Sequence, residues 1–201
     1  TTMSPESRRL IKVLPTDVQR TAEVFDLLLG DNLQGRKEHI AEHGAELLAL
    51  AKANGVSLLF EASVGGGIPV LHPLSQCLGA NEIYEVRGIL NGTTNYMLSA
   101  MTNSGADYAP ALQKAQELGY AEADPTADVE GLDARRKIVL SADLAFGVNI
   151  KEEDIPCVGI SSITAADIAR AKEEGLTYKL IARAEKSGNA VAAFVCPTLF
   201  P

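Results

Sequence analysis

The chain has 201 residues, enough for one substantial hydrophobic core or for a domain with an appendage. Hydrophobic residues make up 46% and charged residues 22%, which excludes a disordered composition, and no run approaches the roughly 18 apolar residues of a membrane-spanning helix. A net charge of −8 excludes the clustered basic surface that nucleic acid requires and favours a small-molecule partner, while residues 1–20 lack the apolar core of a secretion signal, so a cytoplasmic setting is expected.

Helical periodicity dominates residues 16–29 and 37–54, with Gly30 and Gly55 as C-terminal stops. Residues 56–64, VSLLFEASV, are an apolar, β-rich run that predicts a buried strand. Gly65, Gly66 and Gly67 break that run, and residues 68–78 read as a short helix opened by Pro69, with His72 as a packed core histidine. A second strand is predicted over 83–90, leading through Asn91 and Gly92 into a helix over 93–101. Further helices are predicted over 108–118 and over 129–146, the latter stopped by Gly147. In the last quarter, 157–160 reads as a short strand and 165–174 as a helix. Residues 178–185 and 190–196 form an antiparallel pair turning at Ser187, Gly188 and Asn189. The edges of such a hairpin need cover, and dimerisation across the sheet would supply it.

Three cysteines, Cys77, Cys157 and Cys196, have neither metal nor redox spacing and read as reduced, buried small hydrophobes. Asn91, Gly92 and Thr93 match a glycosylation acceptor, which carries no weight without a secretion signal. His39, Glu42 and His43 spell H-x-x-E-H, in which two imidazoles on one helix face could bind zinc while the glutamate activates water. A third ligand is not evident, and such short strings arise by chance on polar helix faces. No G-x-G-x-x-G turn follows a strand anywhere, so the ordinary dinucleotide fingerprint is missing.

The densest chemistry lies in residues 115–137, AQELGYAEADPTADVEGLDARRK. Gly119 and Asp124-Pro125 mark a turn, because proline fixes its own φ and disfavours helical geometry in the residue before it. A helix restarts near Asp128, and Asp133 and Lys137, four apart, project from the same stripe of it. That spacing alone equally describes a solvated ion pair.

The whole string resembles the signature of homoserine dehydrogenases at Ala115, Gly119, Tyr120, Ala121, Glu122, Asp124, Pro125, Asp128, Gly131, Asp133 and Lys137, and the resemblance runs from about Lys37 to the C-terminus. It implies reversible, NAD- or NADP-dependent interconversion of aspartate semialdehyde and homoserine, a step toward threonine, methionine and isoleucine. In that reading Lys137 handles the proton of the reacting oxygen and Asp133 orients it. Glu122 and Asp128 take the substrate ammonium, Tyr120 forms a wall, and Gly92 and Thr93 lie beside the bound amino acid. Lys37 is similar to the family lysine near the nicotinamide, although residues 31–36 differ from the apolar strand that normally leads into it. Residues 61–70, EASVGGGIPV, resemble a segment where main-chain carbonyls of Glu61, Val64, Gly66 and Ile68 hold a monovalent cation, sodium or potassium. Oxygen donors on a glycine-rich turn suit a hard cation.

The implied architecture is α+β, a mixed sheet with helices packed on one face. Residues 1–60 are a remnant of a nucleotide-binding domain, and 61–201 are the substrate, catalytic and dimerisation domain of a homodimer. Two alternatives stand beside this: an inactive substrate and dimerisation module without cofactor binding, and a zinc metallopeptidase.

Overall fold

The computed structural model describes residues 33–56, 58 and 60–201, excluding the side chains of residues 33–39, 41, 42 and 45. The helix expected over 16–29 therefore lies outside the described residues. Helix α1 (Leu33–Ala53) ends just before Gly55, whose φ of 63° reverses the chain where an L side chain is disfavoured. The strand expected over 56–64 is corrected at its end. Glu61–Ser63 is a 3-10 turn, because the Glu61 carbonyl takes the N–H groups of Val64 and Gly65 at 3.1 Å instead of facing a partner strand.

The helix expected over 68–78 is shorter and of another kind. Pro73–Cys77 forms a wide π turn opened by Pro73, not Pro69. Two expectations on this segment fail with it. Leu71 turns inward and is buried, which leaves His72 exposed, and Cys77, at the end of the turn, is exposed too. Cys157 and Cys196 are half-buried. Burial pushes the Cys157 thiol up from its ordinary value, and its Sγ donates to the Glu130 carbonyl at 3.2 Å, the setting of an inert structural thiol.

Strand β1 (Glu85–Gly88) leads to α2 (Gly92–Ser104) and α3 (Tyr108–Glu117). The long helix expected over 129–146 is two helices, α4 (Thr126–Val129) and α5 (Leu132–Phe146). Gly131 separates them with φ of 80°, and a Cβ there would meet Cys157 Sγ at 3.0 Å and Val195 Cγ1 at 3.2 Å, so the break is demanded by packing against later residues. After a 3-10 turn (Glu152–Asp154) come α6 (Ala165–Glu173), β2 (Thr177–Ser187) and β3 (Ala190–Phe200). Glu152 fastens that turn to α5: its Oε1 accepts from Arg135 at 2.9 Å and its Oε2 faces Arg136 Nε at 3.5 Å.

The sheet has the order β1-β2-β3, and both pairings are antiparallel. Gly188, at φ of 59°, turns the β2–β3 hairpin, closed by Ser187 opposite Ala190. The strand expected over 157–160 reduces to one parallel bridge of Cys157 with Val195 on the outer side of β3. Pro197 stops that edge soon after, since proline has no N–H to offer a further strand. Leu180, Ala182 and Ala184 of β2 and Val195 of β3 pack under Met97, Leu98 and Met101 of α2 and Ile138, Val139 and Ala142 of α5. Small alanines on the strand let the helices come close. The opposite face, with Arg87, Arg183, Phe194 and Cys196, carries no helix among the described residues. Residues 37–201 form one unit, in which a second cluster joins Ile40 of α1, Val64, Leu71 and Leu140 of α5.

Near the end of α5, Asp143 Oδ1 accepts the Ile150 N–H at 2.8 Å. Burial nevertheless pushes this carboxyl up to about 6, only partly opposed by that N–H. Its pKa in the folded chain thus lies above that in the unfolded chain. The corresponding stability is complete in acid and is lost as pH rises through about 6. Asp143→Asn keeps an acceptor for Ile150 and removes the charge. In thermal denaturation it should gain on the parent between about pH 4 and about pH 7, by roughly 1–2 kcal/mol once solvent screening is allowed for. A difference that stays flat with pH would exclude Asp143 as the titrating group.

Candidate active site

Asn91 caps α2. It stands in extended geometry with its Oδ1 accepting the Thr94 N–H at 2.9 Å and facing Thr94 Oγ1 at 3.0 Å. Helix α5 presents Asp133 in its first turn, where the helix dipole favours an acid, and Lys137 one turn later. Lys137 Nζ lies 2.6 Å from Asp133 Oδ2 and donates to the Leu90 carbonyl at 2.8 Å. Both side chains are largely withdrawn from water, Lys137 at 13% and Asp133 at 6% exposure. The sequence left open a solvated ion pair. The structure shows a buried one, and such a pair persists only where further hydrogen bonds satisfy it.

Those bonds come from the neighbouring segment. Asn91 Nδ2 donates to Asp133 Oδ2 at 3.0 Å and to Asp128 Oδ1 at 2.6 Å. Leu90–Asn91, α4 and α5 thus meet at one point. Asp128 is half-buried there, on the short helix that Gly131 separates from α5.

Thr93 donates its hydroxyl to the Tyr120 carbonyl at 2.7 Å. That proton is therefore committed, and an anion at this helix end would be met by main-chain N–H groups of the first turn instead. Gly92 opens that approach, since a Cβ there would meet nothing within 4 Å. The Tyr120 ring lies 4.8 Å from the Tyr96 ring and remains 57% exposed. Gly119, at φ of 76°, lets the chain leave α3 and bring Tyr120 there.

The sequence-derived set is thus partly gathered. Asp128, Asp133, Lys137, Gly92, Thr93 and Tyr120 are linked directly or through one neighbour. Glu122 is exposed, and only its carbonyl is tied down, by Gln116 Nε2 at 3.1 Å. Asp124 Oδ1 accepts the N–H and the hydroxyl of Thr126 at the start of α4. Lys37 falls on α1, but its side chain lies outside the described residues, as do those of His39 and Glu42. His43 Nδ1 faces Glu46 at 3.8 Å, and among the described residues no group of three metal-binding side chains forms.

Glu61 has a role that the sequence did not reveal. Its Oε1 accepts the N–H groups of Val70 and Leu71, and its Oε2 accepts that of His72 at 2.7 Å. Chiefly the Val70 N–H, with those of His72 and Leu71, holds this carboxyl below its ordinary value against the opposing effect of burial. The carboxylate therefore folds residues 61–72 into a closed loop. Within that loop the Ile68 carbonyl lies against Gly65, where a Cβ would come within 2.2 Å of its oxygen. Of the four carbonyls that the resemblance assigns to a cation, that of Glu61 already accepts the Val64 and Gly65 N–H groups at 3.1 Å. A cleft of about 780 Å³, lined by Leu48, Phe60, Glu61, Leu71, His72 and Leu144 among others, borders this loop and holds neither Asp133 nor Lys137.

Asn91 and the Leu90 carbonyl also escaped the sequence reading. The signal for Asn91 was its position just before a helix, where a capping side chain is expected. Its glycosylation motif drew attention elsewhere, and with 4% exposure and both amide hydrogens engaged the side chain is not available for modification.

Residues 69–201 match the family model described as homoserine dehydrogenase, and residues 1–41 match one described as DNA gyrase B subunit, carboxyl terminus. A homoserine dehydrogenase of Synechocystis is 54% identical over 154 residues, covering 77% of this chain and 35% of its own. The crystal structure of a homoserine dehydrogenase from Thiobacillus denitrificans superposes with a TM-score of 0.78 at 44% identity, covering 82% of this chain and 38% of the other. A hyperthermophilic archaeal homoserine dehydrogenase solved in complex with NADPH has a TM-score of 0.66 at 26% identity, over 81% of this chain and 46% of that one. The chain spans little more than a third of the Synechocystis and Thiobacillus proteins it matches.

Close packing also fixes α4. A Cβ on Gly159 would lie 2.2 Å from the Val129 carbonyl and 2.5 Å from Glu130 Cα, and Ile160 N–H bonds the Val129 carbonyl at 2.7 Å. Gly159→Ala should destabilise the protein by about 1–3 kcal/mol, as overpacking does, and lower its melting temperature by several degrees. An unchanged melting temperature would show that α4 is not held from below by this contact.

Proposed function

The chain belongs to the homoserine dehydrogenase family, and on that premise we propose that it carries the substrate-binding and proton-transfer part of the interconversion of aspartate semialdehyde and homoserine. The observation that carries this reading is the buried Lys137, held between Asp133 and the Leu90 carbonyl beside the open N-terminus of α2. When the aldehyde is reduced, negative charge develops on its oxygen. Lys137 stabilises that charge and delivers the proton, and in the reverse direction it receives the proton of the hydroxyl. Asp133 keeps the ammonium in place. Asp128 and Glu122 supply negative charge for the α-ammonium, with Tyr120 as a wall. The first-turn N–H groups at Gly92 and Thr93 receive the α-carboxylate.

The hydride belongs to NADP or NAD, which supplies it when bound. Lys37 is the residue of this chain assigned to that side of the reaction. The division at residues 60 and 61, with a nucleotide-domain remnant before it, belongs to the same reading. So does a sodium or potassium ion on the carbonyls of Glu61, Val64, Gly66 and Ile68, which would stiffen the loop that Glu61 closes. The helix-free face of the sheet, with apolar Phe194 amid Arg87 and Arg183, is the surface for a homodimer. The step fits threonine, methionine and isoleucine biosynthesis.

Calorimetric titration of the full chain with L-homoserine should show saturable binding. NADP-linked oxidation of L-homoserine, where present, should fall at least about a hundredfold in Lys137→Ala, the loss expected for a proton-transfer group. Equal rates would remove Lys137 from the mechanism. Fluorescence titration with NADPH separates a working enzyme from an inactive substrate module, since only the former saturates. Sodium or potassium chloride should raise the melting temperature above that in choline chloride of equal ionic strength; equal values would remove the cation.

A further inference from the structure

Asn91 is buried among three chain segments, and every hydrogen-bonding capacity of its side chain is committed. The Oδ1 faces the Thr94 N–H and hydroxyl, and the two Nδ2 hydrogens reach Asp128 and Asp133. A carboxamide has one acceptor oxygen and two donor hydrogens, so this arrangement allows a single orientation. Capping of α2 sets that orientation, because a flipped amide would aim its NH₂ at the Thr94 N–H. Once it is set, the NH₂ is a neutral donor that stands between two carboxylates without adding charge. Its contact with Asp133 is made on Oδ2, the same oxygen that pairs with Lys137. The residue before it supplies the carbonyl that receives Lys137.

We propose that Asn91 is a positioning residue of the homoserine site: its carboxamide, locked by the α2 cap, fixes the spacing of Asp128 and Asp133 and through Asp133 the direction of the Lys137 ammonium. The proposal rests on the substrate reading given above. It assigns the α-ammonium binder and the proton donor to one rigid unit, so the distance between the substrate's two ends is measured by a single side chain. Asn91 touches no reacting atom and acts through its neighbours.

Capping and positioning separate by substitution. Asn91→Ser keeps a capping oxygen but has one hydroxyl hydrogen on a shorter side chain in place of the two amide hydrogens, so it cannot bridge Asp128 and Asp133. Asn91→Asp also keeps the capping oxygen but puts a third carboxylate beside Asp128 and Asp133. Asn91→Ala loses everything. With positioning, the melting temperature of Asn91→Ser stays close to the parent while its affinity for L-homoserine falls roughly ten- to a hundredfold, as expected when hydrogen bonds to charged groups are lost. Asn91→Asp weakens binding at least as much, and Asn91→Ala loses melting temperature as well. A second readout needs no ligand: acylation of lysines in the full chain, mapped by peptide mass spectrometry. Lys137 should label severalfold faster in Asn91→Ser than in the parent, with other lysines unchanged. Parent-like Lys137 labelling in Asn91→Ser overturns the proposal, as does parent-like homoserine affinity. If the parent chain binds no homoserine, the substrate reading fails, and the labelling alone decides the role of Asn91.

Discussion

A buried ammonium and carboxylate, Lys137 and Asp133, are the constraint on which the rest of this unit turns. Taking both charges out of water is costly, and their mutual attraction offsets that only when every remaining lone pair and hydrogen nearby is used. Here the balance is supplied by neutral groups of another segment, the Leu90 carbonyl and the Asn91 amide. The strand β1, the start of α2 and the start of α5 must therefore lie in fixed relation. Most of the packing serves that relation. Alanines on β2 let α2 and α5 approach the same strand, and Gly131 lets α5 begin where it does.

Much of this was legible in the sequence because much of it is local. The i,i+4 spacing of Asp133 and Lys137, the stops at Gly55 and Gly147, the C-terminal hairpin and the helix of residues 108–117 follow from periodicity and turn chemistry. The α+β class with helices on one side of the sheet follows from the order of those elements. The resemblance to homoserine dehydrogenases, carried by spaced residues of the Tyr120 to Lys137 string, agrees with the family match over residues 69–201.

What escaped was set by contacts between distant residues. Gly131 interrupts a run that is helical by pattern, for the sake of Cys157 and Val195 packed above it. Glu61 lies in an apolar run that reads as a strand, yet its carboxylate gathers three N–H groups some ten residues ahead and bends the chain into a loop. Asn91 joins Asp128 and Asp133 across sequence gaps of 37 and 42 residues, which no local pattern encodes. His72 and Cys77 were misread for the opposite reason: residue type favours burial for both, but a π turn that presents Leu71 inward leaves them outside.

Both helices that carry the ion pair and its amide rest on β2, a strand that enters the chain only at Thr177, some forty residues after Lys137. On an emerging polypeptide the chemistry is thus written well before the platform that holds it. Until that platform arrives, Lys137 and Asp133 have water as a competitor, and their pairing is no better than that of any exposed helix. The buried pair is in this sense a late property of synthesis, conferred by residues that stand outside the pair itself.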